Sequence, residues 1–135
     1  MAVDKRALDA DKNQSAINKR ALGTAKEQMA ADYLRGEGFT IVEMNFRCRF
    51  GEVDIISKDG DTLVFVEVKY RSRPSAGFPS EAVNLKKQKT ISKVADFYRV
   101  RYGVDGATPC RFDVVSILGE EIRHIKNAFE YIGDW

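Results

Sequence analysis

The stretch from Gly51 to Arg71 restricts the possible folds of this chain more than any other, and it reads GEVDIISKDGDTLVFVEVKYR. Two runs with strand-like composition, residues 52–57 and 62–70, flank the polar segment 58–61. An Asp-Gly pair between two such runs is a strong signal for a tight turn. The sequence therefore predicts an antiparallel β-hairpin at this place.

The second strand of this hairpin is predicted to be buried on both faces. Apolar residues continue without interruption from Leu63 to Val66, which is typical of a strand covered on both sides. Successive side chains of a strand point to opposite faces. One predicted face carries Leu63, Phe65, Glu67 and Lys69, and the other carries Val64, Val66, Val68 and Tyr70.

Acidic side chains of the two strands are predicted to converge. Asp54 can face Glu67 if the hairpin closes at the Asp-Gly turn, and Lys69 lies about 7 Å along the strand from Glu67. Charges in a buried strand are costly unless they are paired or bind a metal. Two carboxylates suit Mg²⁺ or Mn²⁺, which polarises a phosphate and activates water, and a lysine can offset charge in the transition state. We therefore predict Asp54 and Glu67 as metal ligands in a site for phosphodiester cleavage, the alternative being a surface hairpin with a Glu–Lys pair.

Length and composition favour a single globular domain. The chain has 135 residues, of which 44% are hydrophobic, as in ordinary soluble proteins. No apolar run is long enough to span a bilayer and the N-terminus lacks a secretory signal, so we expect a cytoplasmic protein that does not bind membranes. Cys48 and Cys110 have no metal or redox spacing and are expected to be reduced thiols.

The formal net charge of +2 conceals a strongly basic segment. Residues 69–101 carry nine Lys and Arg against two acids, so this segment has a charge of +7 and the remainder of the chain −5. Clustered basic charge is the electrostatic signature of phosphate-backbone binding. Arg71 and Arg73, in the loop after the hairpin, are predicted to bind phosphate groups. The alternative for the basic segment is a solvated helix face.

The predicted organisation is a flexible tail over residues 1–14 followed by a single domain over residues 15–135. The domain begins with a helix from about Ser15 to Glu37, and Glu27 lies on the flank of its apolar stripe. Glu27 can therefore reach the edge of the packed face, or else it is an ordinary glutamate at the solvent boundary. The remaining predicted elements are strands Phe39–Arg49, Pro109–Leu118 and Glu121–Ile125, and a helix that starts at Pro79–Ser80 and ends before Gly103.

Lys87 falls within the apolar stripe of the second predicted helix. A lysine on a buried side needs an anionic partner or a route to solvent. We therefore predict that Lys87 lies at the edge of the active site or on a phosphate of the substrate. Arg111 and Asp113 share a strand face and are predicted to form a structural pair, and His124, the only histidine, is predicted to be structural.

Together these motifs resemble the PD-(D/E)xK nuclease superfamily, and more closely the YraN-like family of small bacterial proteins. The resemblance extends from Gly23 to about Phe129. The matching positions are Glu27, Gly51–Asp54, Phe65–Lys69, Arg71, Lys87–Gln88 and Arg111–Asp113. It implies an α/β, restriction-endonuclease-like fold: a mixed β-sheet of about five strands flanked by helices, with the N-terminal helix first.

The family is also similar to archaeal Holliday-junction resolvases, and this similarity implies roles for individual residues. The implied catalytic residues are Glu27, Asp54, Glu67 and Lys69, with the three acids around Mg²⁺ and the lysine near the attacked phosphate. Val53 stands at the superfamily's proline, which is not a ligand, and Glu52 and Gln88 are accessory candidates. The implied substrate is DNA, including branched DNA, for which a homodimer would supply the two sites that symmetric cuts need.

Two other functions remain open from the sequence. A nucleic-acid-binding module would keep the fold and the basic segment without cutting, although the intact set of acids and lysine disfavours it. A structural or adaptor protein would bind neither metal nor nucleic acid. Binding of a divalent cation between Asp54 and Glu67 distinguishes the nuclease from both alternatives.

Overall fold

The computed structural model describes residues 5–133, and within them all side chains except those of residues 5–9 and Pro74. The elements are α1 (Lys5–Gly36), β1 (Thr40–Cys48), β2 (Gly51–Asp59), β3 (Thr62–Arg71), α2 (Leu85–Arg101), β4 (Cys110–Leu118) and β5 (Glu121–Ile125). One short 3₁₀ turn lies in the loop between β3 and α2. This order confirms the predicted α/β fold with its N-terminal helix first.

The five strands form one open, mixed sheet in the order β1-β2-β3-β4-β5. Neighbouring strands are antiparallel except for β3 and β4, which are parallel. A parallel pair requires a crossover connection, and α2 with its flanking loops supplies it. The strand β3 is therefore central, with hydrogen-bonded neighbours along both edges.

The hairpin closes at the predicted turn. Asp59 pairs with Thr62 across the turn, and Gly60 has a φ of 60°, a value that glycine adopts without strain. The ladder continues to the pair Ile55 and Val66. Asp54 and Glu67 are the next residues along the two strands, beyond the last pair of the ladder.

Both faces of β3 are covered, as its apolar run predicted. Leu63 and Phe65 belong to a core beneath α2, whereas Val64, Val66 and Val68 belong to a second core beneath α1. The helical side chains in these cores are Ile91, Val94, Ala95 and Tyr98 from α2, and Ala30, Ala31 and Leu34 from α1. Glu67 and Lys69 alternate with the α1-side residues and so lie on the α2 side of the sheet.

Helix α1 begins at Lys5, ten residues before the predicted start at about Ser15. Residues 5–14 of the predicted tail are therefore helical, and residues 1–4 lie outside the described residues. The sequence from Lys5 to Leu22 contains neither Gly nor Pro and favours a helix. Residues 10–14 are exposed, however, and lie before the apolar stripe, so periodicity did not reveal this part of the helix. Although α1 has 32 residues, no helix in the described chain is apolar enough to cross a membrane.

Helix α2 begins at Leu85 and not near the predicted Ser80. Asn84 is the N-cap, since its side-chain Oδ1 accepts a 2.8 Å hydrogen bond from the backbone N–H of Lys87. Ser and Asn are both good N-cap residues, and the helix starts at the second of them. The carbonyls of Ser80 and Ala82 accept hydrogen bonds from Lys69 and are not part of a helix. The predicted end is confirmed, because Gly103 has a φ of 60° and follows the last turn.

Replacing Ile55 with alanine tests the burial of the sheet, and Ile17 provides a matched control. Ile55 is fully buried in the core beneath α1, whereas Ile17 on the exposed part of α1 is 56% exposed. We expect Ile55→Ala to lower the free energy of unfolding by about 2–5 kcal/mol. We expect Ile17→Ala to change it by less than about 0.5 kcal/mol. Urea denaturation followed by circular dichroism measures both, and equal decreases would contradict this packing.

Candidate active site

The candidate site lies at an irregularity of β2, where two residues that should share a face of the sheet pack on opposite faces. Val53 packs in the core beneath α2, but Ile55, two residues further along, packs in the core beneath α1. Their cross-strand partners on β1 change face in the same way, and Asn45 between those partners has a φ of 53°. Asp54 therefore projects from a local irregularity of the sheet, and irregularities of this kind can redirect a side chain.

Asp54 reaches across to the backbone of β3. Its Oδ2 accepts a 2.8 Å hydrogen bond from the N–H of Val68. Burial, and after it the charge of Glu67, raises the pKa of Asp54 from its usual 3.8 to about 7, although the Val68 hydrogen bond and Lys87 act in the opposite direction. The folded protein therefore disfavours a negative charge on Asp54 beside Glu67.

Glu67 is the second carboxylate of the pair. Its side chain is 15% exposed, and burial raises its pKa above the usual value. The strongest opposing effect comes from Lys87, whose Nζ lies 3.6 Å from Glu67 Oε1. The structure thus brings Asp54 and Glu67 together. It also places Lys87 beside Glu67, which is the anionic partner that a lysine on the buried side of α2 requires.

Glu27 approaches this pair from α1, which lies on the face of the sheet opposite to α2 and Glu67. It is half-buried, and its charge raises the pKa of Asp54, although less than the charge of Glu67 does. The preceding residue, Lys26, is buried, and its Nζ donates a 2.6 Å hydrogen bond to the carbonyl of Gly119 in the β4–β5 turn. This contact holds α1 at the end of the sheet, so that Glu27 lies within electrostatic range of Asp54.

The side chain of Lys69 is engaged by the loop that follows β3. Its Nζ donates hydrogen bonds of 2.7 Å to the carbonyl of Ser80 and 2.5 Å to the carbonyl of Ala82. Its charge lowers the pKa of Glu67, but less than the charge of Lys87 does. The two carbonyl partners were missed from the sequence, because residues 80–84 were predicted to be helical and their carbonyls would then have been used within the helix.

The predicted phosphate-binding arginines lie on the exposed rim of the same loop. Arg71 ends β3, and its guanidinium donates a 3.0 Å hydrogen bond to the carbonyl of Ala76. Arg73 is exposed. A further arginine, Arg123 of β5, lies with its Cζ 3.8 Å from the centre of the Phe78 ring. Arg123 was missed because only the tertiary structure brings β5 beside this loop.

The two accessory candidates have different surroundings. Glu52 forms a 2.8 Å ion pair with Arg47 of β1 in an exposed position, and its charge raises the pKa of Glu67. Gln88 donates a 2.7 Å hydrogen bond from Nε2 to the carbonyl of Val83. Glu52 is thus within electrostatic range of the carboxylate pair, whereas Gln88 holds the segment that enters α2.

Arg111 and Asp113 form the predicted structural pair. Asp113 is fully buried, and its carboxylate accepts hydrogen bonds of 2.8 and 3.0 Å from the Arg111 guanidinium and 2.9 Å from the N–H of Asn127. His124 Nε2 lies 2.8 Å from Asp113 Oδ2, so the single histidine belongs to the same network. Burial alone would raise the pKa of Asp113, but these hydrogen bonds outweigh it and lower the pKa.

The donor set limits the kind of metal site that can form here. Among the described residues, no group of three or more His, Cys, Asp or Glu side chains is arranged to hold a metal ion. Mg²⁺ keeps several waters and is often held by only one or two carboxylates together with substrate phosphates. A cation beside Asp54 and Glu67 would also offset the effects of burial and of neighbouring negative charges, which raise the pKa of both groups. The pair therefore fits a largely hydrated Mg²⁺ or Mn²⁺ better than a closed cage.

The fold and site define an α/β domain with an open mixed sheet and a paired-carboxylate site, and comparison identifies its family. The model of "Uncharacterised protein family UPF0102" matches residues 26–117. The chain is 49% identical over 117 residues to a UPF0102 protein of Lachnoclostridium phytofermentans, covering 87% of this chain and 99% of that protein. It is 50% identical over 112 residues to one of Syntrophus aciditrophicus, covering 80% and 87%. The chain therefore belongs to the UPF0102 family, the YraN-like family that its motifs indicated.

Replacing Asp54 with asparagine tests the electrostatic cost of the carboxylate pair. Because its pKa is higher in the folded protein than in the unfolded chain, the folded state binds the proton more tightly, and stability falls as the pH rises from about 4 towards 7. Asparagine removes the charge and can still accept the Val68 hydrogen bond. We expect Asp54→Asn to raise the free energy of unfolding in metal-free buffer at pH 8 by on the order of 2–4 kcal/mol, with little change at pH 4.

Chemical denaturation at pH 4, 6 and 8 measures this effect, and Asp11→Asn is the control. Asp11 lies on the exposed part of α1, so its replacement is expected to change stability by less than about 0.5 kcal/mol at each pH. An equal effect of Asp54→Asn at pH 4 and pH 8 would contradict the raised pKa.

Proposed function

We propose that this protein is a metal-dependent nuclease of the PD-(D/E)xK type that hydrolyses phosphodiester bonds in DNA, including branched DNA. The observation that carries the proposal is the pair of carboxylates from Asp54 and Glu67, both partly buried and both with raised pKa values. Such a pair destabilises a fold unless something neutralises it, and strongly perturbed acids are concentrated at functional sites. Binding of a divalent cation would explain why the two carboxylates are paired, whereas fold stability does not explain it.

Asp54 and Glu67 would hold Mg²⁺ or Mn²⁺. The carbonyl of Val68 is a further candidate ligand, because the Val68 N–H points to Asp54 and the two polar groups of one strand residue point to the same side. When bound, the cation polarises the scissile phosphate and lowers the pKa of water. Glu27, which lies within electrostatic range of Asp54, would complete the site through a water molecule, because the described residues contain no set of three acids arranged as direct ligands.

The basic residues around the pair would bind and orient the substrate. Lys69 and Lys87 both act electrostatically on Glu67, and an ammonium group in this position offsets the charge that develops on the phosphate during attack. Arg71 and Arg73, on the rim of the loop, would hold the phosphodiester backbone. The acidic pair and the basic rim thus form adjacent parts of one substrate-binding surface.

Branched DNA cut symmetrically requires two sites, and a homodimer would provide them.

A cytoplasmic location agrees with the state of the two cysteines, since Cys48 and Cys110 are both free thiols.

Cleavage of labelled DNA tests the proposed function. Four-way junction, flap and linear duplex substrates are incubated with the protein in Mg²⁺ or Mn²⁺, and in EDTA. We expect cutting that requires the metal and that falls by at least about 100-fold in Asp54→Ala and in Glu67→Gln, because each removes a predicted ligand. Asp32→Ala, which removes an exposed carboxylate of α1, is the control and is expected to cut like the wild type.

Each result of this assay has a distinct meaning. Metal-dependent cutting that disappears in both site variants supports the nuclease and ranks its substrates. Cutting that survives in both variants would place the catalytic centre elsewhere. Salt-sensitive DNA binding without cutting, in wild type and variants alike, would favour the binding module, and the absence of both activities would favour the adaptor.

Salt dependence tests the predicted role of the basic rim. We expect the double variant Arg71→Gln/Arg73→Gln to bind DNA more weakly and to reduce the slope of log K against log salt by roughly 1 for each phosphate that is no longer bound. Fluorescence anisotropy between about 50 and 200 mM salt measures this slope. The matched control is Arg35→Gln, in the last turn of α1; an equal decrease of slope there would show that the binding is not local to the loop.

A further inference from the structure

Two lysines lie near the carboxylate pair, and the structure gives them different surroundings. The motif resemblance implies that Lys69 assists the chemistry, because it follows Glu67 by two residues on the same strand. Lys87 comes from α2, and the sequence predicted it only at the edge of the active site or on a substrate phosphate. The assignment of one of them to the reacting phosphate rests on the proposed function. The two side chains differ in their contacts within the described chain.

The ammonium group of Lys69 is hydrogen-bonded to the loop between β3 and α2. Two of the three hydrogen-bond donors of its ammonium group are used by the carbonyls of Ser80 and Ala82, at 2.7 and 2.5 Å. These hydrogen bonds fix the segment that leads directly to the N-cap of α2, Asn84. To reach a phosphate beside Glu67, Lys69 would have to give up one or both of these bonds and release the segment.

Lys87 is directed at the carboxylates. Its Nζ lies 3.6 Å from Glu67 Oε1, and the side chain is 39% exposed, so Lys87 contacts one carboxylate of the pair and is also partly open to solvent. An incoming phosphate can therefore reach Lys87 without any rearrangement of the loop. The distance also allows Lys87 to exchange Glu67 for a substrate oxygen through rotation of its flexible stem.

The first turn of α2 is held firmly in this position. The backbone N–H of Lys87 is capped by Asn84 at 2.8 Å. One turn later, Thr90 packs so closely on β2 that a Cβ added to Gly51 would lie 2.6 Å from Thr90 Cγ2. Gly51 also has a φ of 145°, so only glycine fits here without strain. The absence of a side chain at Gly51 lets α2 approach the strand that carries Asp54.

We propose that Lys87 is the catalytic lysine that contacts the attacked phosphate, and that Lys69 is a positioning residue that holds the segment 80–84 and thereby aims Lys87. In this arrangement the strand lysine acts through the loop, and the helix lysine meets the reacting group. Lys87 stabilises the negative charge that builds up on the phosphate oxygens, and it transfers no proton in doing so.

Single-turnover cleavage at saturating DNA and Mg²⁺ tests this assignment with the full-length protein. We expect Lys87→Met to lower the rate constant by about 100-fold, because the ammonium acts on the transition state. The same change removes the partner of Glu67 and is expected to lower the melting temperature in metal-free buffer. We expect Lys69→Arg to retain the rate within about threefold, since a guanidinium can still donate to the two loop carbonyls. Lys58→Met, which removes an exposed lysine at the turn end of the hairpin, is the control for removal of a positive charge.

Lys69→Met supplies a readout that distinguishes a positioning role. We expect faster amide hydrogen exchange in residues 77–84 of this variant and a smaller decrease of rate than in Lys87→Met, whereas Lys87→Met leaves exchange in that segment unchanged. A Lys87→Met enzyme that cuts at the wild-type rate, or a Lys69→Arg enzyme that is inactive while its loop exchanges normally, would overturn the assignment but leave the nuclease intact. A wild-type protein that cuts no substrate would overturn the nuclease, and the assignment with it.

Discussion

Burial of β3 on both faces is the constraint on which the rest of this structure depends. The strand pairs along both edges and lies between α1 and α2, so any charge on it must find a partner or stay costly. Glu67 meets Lys87 of α2, and Lys69 meets the carbonyls of Ser80 and Ala82. The loop after β3 and the start of α2 are thus arranged around two charged residues of the central strand.

Two aspartates of the same sheet illustrate how surroundings decide the role of an acid. Asp113 is surrounded by donors from Arg111, Asn127 and His124, and these lower its pKa, so its charge is stabilised and it supports the fold. Asp54 is largely buried and lies beside the charge of Glu67, and the hydrogen bond from Val68 does not offset these two effects, so its pKa rises to about 7. A satisfied acid of the first kind needs no ligand, whereas an acid of the second kind gains from a bound cation. Stability given up at a site in this way is common where function requires it.

The sequence predicted much of this site because the relevant geometry is local. The Asp-Gly turn sets the register of the hairpin up to the pair Ile55 and Val66, and Asp54 and Glu67 are the next residues along the two strands. The pairing of Arg111 with Asp113 follows from alternation along one strand. The starts of both helices were predicted less well. Residues 10–14 of α1 are exposed and precede the apolar stripe, and two good N-cap residues, Ser80 and Asn84, lie four positions apart.

By itself the sequence determined the order of the elements, the central hairpin and the convergence of its two acids, because turn chemistry and strand alternation act over a few residues. Only the tertiary structure decided which lysine contacts Glu67. Lys69 is two residues from Glu67 in the chain, yet it is held by the loop, and Lys87 is twenty residues away but adjacent in space. The physical reason is the close packing of α2 on β2 at Gly51, a contact between distant segments that no local pattern specifies.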